Sequence, residues 1–211
     1  MSSPKRLLFE IIAVVITGLG KFLFVDYLHI KFWYIITASL FWIGYILYII
    51  STDRKAFQHW GFRKEGFIQS LKWILPAATF AVGGFVFYGL RENTLLINWH
   101  ILPIMVLYPI WGTLQQFLII GLIAGNLNSL KSIHIPKPIS ILSASLLFSI
   151  VHFPSLPLVV STFILAIFYA VVYLKFRNLW ILGLFHGWLG GLFYFFVLHR
   201  DPWIEFLEAI Q

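Results

Sequence analysis

Four polar side chains lie inside long apolar stretches of this chain. They are Gln115 and Gln116 in WGTLQQFLIIG, His152 in LLFSIVHFP and His186 in LGLFHGWLGG. A histidine titrates near neutrality, so either ring could move a proton or ligate a metal. A glutamine carboxamide does neither; it only donates and accepts hydrogen bonds. A hydrolytic site would need a carboxylate beside the histidines, and none stands where it is expected. Polar groups at membrane depth are costly and by default mark a site. The bland reading is that they hydrogen-bond between helices, for roughly 0.6–2 kcal/mol per bond. Catalytic zinc usually takes three protein ligands. His152 and His186 are the only metal candidates and supply two, with glutamine a poor third, so no cofactor is expected.

The elements that must position these groups are membrane helices. Only 11% of the residues are charged and 60% are hydrophobic, with a mean hydropathy of +0.89. A soluble domain carries roughly 25% charged residues. The expected fold is all-α, a polytopic transmembrane helical bundle forming a single integral membrane domain over 1–211. The chain has no cysteine, which excludes disulfides, thiolate metal sites and a cysteine nucleophile. Its net charge of +7 falls between apolar runs. No basic face is left to track phosphates, so nucleic acid is excluded as a partner. The first apolar segment follows Lys5 and Arg6 as a signal peptide would. It also holds Glu10 and Lys21 and lacks a small-residue cleavage site, so it reads as a retained helix.

Seven apolar segments can be drawn, near 8–25, 33–50, 68–90, 101–125, 139–153, 157–175 and 179–198. An eighth appears if residues near 95–110 form a separate broken piece. With the N-terminus in the cytoplasm, the fifteen basic residues split eleven inside to four outside. That bias supports the seven-span count and a cytoplasmic N-terminus; the expected location is a bacterial inner (plasma) membrane. Lys131 is among the eleven. The loop 51–67 is the largest polar stretch and is expected along the cytoplasmic surface. There Arg54, Lys55, Arg63 and Lys64 would meet anionic lipid. The tail from Asp201 reads as an interfacial helix with Trp203, Phe206 and Leu207 on one side.

Gly183, Gly187 and Gly191 form a small-xxx-small stripe around His186, and Gly121 with Gly125 a shorter one. Such stripes let helices pack closely. Pro154 and Pro157 suit a tight turn just after His152. Glu10 is the one acidic residue well within a span; it should meet a nearby base, and it is a distant candidate for the missing acid.

The order and spacing of these residues resemble the CAAX protease and bacteriocin-processing family of membrane endopeptidases. That family carries a Glu-Glu-x-x-x-Arg helix, then Phe-x-x-x-His, then His-x-x-x-Asn. Here the second motif is complete as Phe148-Ser-Ile-Val-His152. The third keeps His186 but has Gly190 in place of the amide. The first is Gln115-Gln116 ending at Ile120, so both glutamates and the arginine are replaced. The resemblance covers a motif core of 111–191. It implies a catalytic set of Gln115, Gln116, His152 and His186, in which Gln115 holds the general-base position, His152 is its partner and His186 holds the oxyanion position. Phe148 and Gly190 are the supporting positions. A carboxamide cannot take a proton from water, and general-base catalysis typically contributes 10²–10⁴-fold. With the acidic pair gone, an unpaired buried arginine would be costly, so its loss is understandable.

Two function classes follow. One is a membrane-embedded endopeptidase acting on a membrane-associated protein or peptide in the lipid bilayer. The other is a non-catalytic pseudoprotease, a scaffold for another membrane protein or a bacteriocin self-immunity protein. A small-molecule carrier is disfavoured because no span pair shows inverted, discontinuous helices.

Overall fold

The computed structural model describes residues 3–130 and 135–210; Lys131 lies outside the described residues. The described residues form helices and no strand. In chain order these are α1 (Pro4–Lys21), continued by a π-helical stretch (Phe22–Tyr27), α2 (Lys31–Thr52), α3 (Ala56–His59), α4 (Phe67–Glu92) and α5 (Ile101–Gln116). A second π-helical stretch (Phe117–Ala124) precedes α6 (Gly125–Ser129), α7 (Lys137–Ile150), α8 (Leu156–Phe176), α9 (Leu179–Phe196) and α10 (Pro202–Ile210). Six of the seven expected apolar segments are long and apolar enough to cross a membrane. The other is α7, whose 14 residues fall short of the roughly 20 a full span needs. Residues 95–100 are not helical, so no separate eighth piece precedes α5.

The chain divides into two compact units, Met1–Arg63 with Phe117–Arg177, and Lys64–Gln116 with Asn178–Gln211. In the first unit the π-helical stretch 117–124 is buried at every position except Leu118 and packs against α1, α7 and α8. Phe117 meets the rings of Trp60 and Phe62 at 5.0 and 5.8 Å. The loop 51–63 is therefore more than a polar surface strip. Ala56, Trp60 and Phe62 are buried in it, and Trp60 O accepts a hydrogen bond from the Tyr173 hydroxyl at 2.9 Å. Arg63, expected to face lipid, donates instead to the carbonyls of Arg177 and Phe176 at 3.0 and 3.1 Å. A guanidinium there neutralises the carbonyls that end α8, a favourable placement for a cation at a helix C-terminus.

The second unit is built around the contact of α5 with α9. A Cβ added to Gly183 would lie 2.3–2.7 Å from Thr113, and one on Gly187 would lie 2.4 Å from the Tyr108 and Pro109 backbone. Gly112 meets the backbone of Gly183 and Gly187 from the other side at 2.7 Å. The small-residue stripe thus does what close helix packing requires. Pro109 cannot donate to the carbonyl four residues back, which leaves the Met105 carbonyl without its helical partner. The Trp188 indole on α9 supplies one, donating to Met105 O at 3.0 Å.

These contacts carry a prediction. Gly187→Ala should lower unfolding stability in detergent by about 1–3 kcal/mol, because its methyl meets backbone that cannot swing aside. Gly190→Ala, with nothing within 4 Å of the added carbon, should cost nothing and gain a little helix propensity. Equal melting temperatures for the two variants would sink this account of the stripe.

At the far end of the second unit Asp201 is a hub. It accepts from His100 Nδ1 at 2.6 Å and from Asn98 Nδ2 at 2.9 Å, and it caps α10 through Trp203 N at 3.0 Å. Burial alone would raise its carboxyl pKa; the hydrogen bonds from His100, Asn98 and the α10 backbone outweigh that and hold it below the usual carboxylate range. The tail from Asp201 is helical as expected, with Phe206 and Leu207 exposed.

Candidate functional site

Two of the four chemistry-bearing residues come together in the second unit. His186 Nε2 lies 3.0 Å from Gln115 Oε1. The glycine contacts explain why: His186 sits between Gly183 and Gly187, the points where α9 lies closest to α5. With the carboxamide oxygen as acceptor, Nε2 carries the proton and cannot serve there as a base. His186 is only 7% exposed, and Gln116 only 1%. Neither carboxamide atom of Gln116 has a hydrogen-bond partner. Leaving such a group unsatisfied costs roughly 1–3 kcal/mol. Gly190, the third-motif position, faces open space, so packing does not forbid a side chain there.

His152 and Phe148 belong to the first unit. His152 lies in the turn just after α7, as Pro154 suggested. Its Nδ1 is 2.7 Å from the Phe148 carbonyl, and its ring meets the Phe148 ring edge-on at 4.9 Å. A carbonyl accepts only, so Nδ1 carries the proton and Nε2 keeps its lone pair. The carbonyl one turn back therefore fixes the tautomer, without a carboxylate and whatever side chain stands at 148.

The nearest charged group on α1 is a cation: Lys21 donates to the Phe153 carbonyl at 2.5 Å and to Asp26 at 2.7 Å. Gly18 stands level with Val151, 3.3 Å from where its Cβ would be. Glu10 lies eight residues further down α1, about 12 Å along the helix, so it does not stand beside His152. It is fully buried instead in a separate network. Its Oε1 accepts from Arg6 Nε at 2.9 Å and the Tyr45 hydroxyl at 2.7 Å, and its Oε2 accepts from Asn126 Nδ2 at 2.6 Å. Arg6 also reaches Asp53 at 3.4 Å and lies over the Trp60 ring at 5.3 Å. The base that Glu10 was expected to meet is Arg6. The parts of Tyr45, Asp53 and Asn126 were missed; Asn126, polar within the apolar helix 101–129, was the available signal.

Among the described residues no group of three or more His, Cys, Asp or Glu could hold a metal ion. His186 is engaged with Gln115, and two imidazoles with a carboxamide do not make a catalytic zinc set.

Residues 94–192 match the family model described as type II CAAX prenyl endopeptidase Rce1-like, just under half of the chain. The matched region contains the whole motif core 111–191. The chain matches no curated protein and no solved structure. Family match and motif order coincide on the same residues: over 94–192 this membrane protein is similar to the type II CAAX prenyl endopeptidases of the Rce1-like family.

Proposed function

We propose that this chain is a CAAX-type intramembrane endopeptidase homologue that binds a membrane-associated peptide or protein and hydrolyses it little or not at all, acting as a pseudoprotease. The observation that carries the reading is the Gln115–His186 hydrogen bond. It occupies with a neutral amide the place where the family's mechanism needs a proton acceptor. His152, Gln116 and His186 keep binding roles. The buried, unpartnered carboxamide of Gln116 offers one donor and one acceptor, the complement of a peptide bond. His152, whose Nδ1 proton is committed to the Phe148 carbonyl and whose Nε2 keeps its lone pair, suits recognition of a substrate N–H. The test is the full chain in nanodiscs with a prenylated peptide. Wild type should retain the peptide and release no product above the background rate. Turnover that disappears in His152→Ala would overturn the reading and show that histidine chemistry survives without the acid.

The site's membrane is the bacterial inner membrane in this proposal, with the N-terminus and loop 51–67 cytoplasmic. The support for the orientation is the eleven-to-four split of basic residues. A reporter fused after Lys64 should read as cytoplasmic; external labelling there would reverse the topology.

A further inference from the structure

The first unit carries a long groove between α1 with its π-helical extension and α2, a cavity of about 900 Å³. Its lining runs from Phe9 to Phe24 on one side and from Ile30 to Phe41 on the other. That is roughly 22 Å along α1, about two thirds of a hydrocarbon core of about 30 Å. The walls are side chains such as Phe9, Ile16 and Leu23 facing Trp33, Ala38 and Phe41. Two hydroxyls in the lining are already engaged: Tyr34 donates to the Thr17 carbonyl, and Thr17 Oγ1 donates to Ala13 O at 2.8 Å. Thr37 brings the one remaining lining hydroxyl and the other walls are apolar, so the slot suits hydrocarbon.

The groove's length and apolar walls suit an extended hydrocarbon chain. Charge decides the head group. Lys5 lies one turn before Phe9 on the same face of α1 and is exposed. The Arg6–Asp53 contact of 3.4 Å ties that end of α1 to the end of α2. Exposed Arg54 and Lys55 follow directly. Three exposed cations thus lie at that end of the α1–α2 pair, beyond the last lining residues Phe9 and Phe41.

We propose that this groove holds one acyl chain of an anionic glycerophospholipid, with the phosphate seated against Lys5, Arg54 and Lys55. The lipid is a bound component of the α1–α2 hairpin. Delipidated full-length protein would be mixed with phosphatidylglycerol or phosphatidylcholine and bound lipids counted by native mass spectrometry. One phosphatidylglycerol per chain is expected, with phosphatidylcholine at least about tenfold weaker because each basic residue near the surface favours the anionic head group. Ala38→Trp, which fills the slot, should lose the bound lipid. Lys5→Gln with Arg54→Gln and Lys55→Gln should keep binding but lose the preference. Should Ala38→Trp not fold, phosphatidylglycerol brominated in mid-chain provides the second readout: it should quench a tryptophan signal that is absent in Trp33→Phe. Lipid retained by Ala38→Trp, a head-group preference unchanged in the triple variant, or no Trp33 quenching would each overturn the proposal. So would a wild-type dimer in sedimentation that Ala38→Trp dissociates, since the slot would then belong to a second copy.

Discussion

Gln115→Glu together with Gln116→Glu is expected to raise cleavage of a prenylated peptide by 10²–10⁴-fold, the contribution a positioned general base typically makes. The two positions will not respond alike. At 115 a carboxylate finds the His186 Nε2–H already 3.0 Å away, so its charge meets a donor on arrival. At 116 it enters a site that is 1% exposed and offers the present side chain no partner. Burial without a partner favours the protonated form, so Gln115→Glu alone should fold better than the pair and recover part of the rate. Adding Ile120→Arg tests whether that position, wholly buried and set within the π-helical stretch, brings a cation to the new carboxylates. Rates would be followed by product release in nanodiscs, with folding monitored in parallel. A well-folded Gln115→Glu variant that binds the peptide yet stays at the wild-type rate would remove the missing carboxylate as the cause of inactivity.

Glu10→Ala should be the most destabilising single change outside the helix contacts, by about 3–5 kcal/mol, the usual cost of breaking a buried ion pair from one side. It leaves Arg6, which is 16% exposed, with only the 3.4 Å carboxylate contact to Asp53, and deprives Tyr45 and Asn126 of the carboxylate at once. Glu10→Gln keeps one acceptor oxygen but sets its NH₂ against one of the three donors, so its loss should be smaller. The measurement is thermal or denaturant unfolding in detergent. A loss below about 1 kcal/mol for Glu10→Ala would mean that water replaces the carboxylate and that the network contributes little.

The apolar segments were legible because membrane burial imposes long uninterrupted runs, and the helices α1, α2, α4, α8 and α9 start and stop within a few residues of them. The glycine stripe was legible for the same kind of reason, since only small residues let backbones meet. The polar partners were not. Periodicity says that Asn126 lies on a helix; it does not say that Glu10, 116 positions earlier, lies opposite. Trp60, Phe62 and Arg63 were masked by the charged residues around them, and composition over a window averages a buried aromatic with its exposed neighbours. For the site, residue types and order pointed to Gln115 and His186, and the close approach at Gly183 and Gly187 makes them neighbours. That the backbone holds the His152 tautomer lay outside any sequence pattern, since a carbonyl leaves no trace in residue type.

The π-helical stretch 117–124 bears on how this chain lines up against others. A π turn is an α-helix into which an extra residue has been accommodated, with hydrogen bonds running to the fifth residue back. At about 4.4 residues per turn, a four-residue step ends roughly 70° short of where an α-helix would put it. Equal numbering between two sequences across this stretch therefore need not mean equal direction. Ile120 occupies the arginine's place by count while pointing as a different position would in a regular helix. Single-residue insertions and deletions are what convert one helix type into the other. A gap placed within 117–124 is then the physically sensible one when sequences of this kind are aligned.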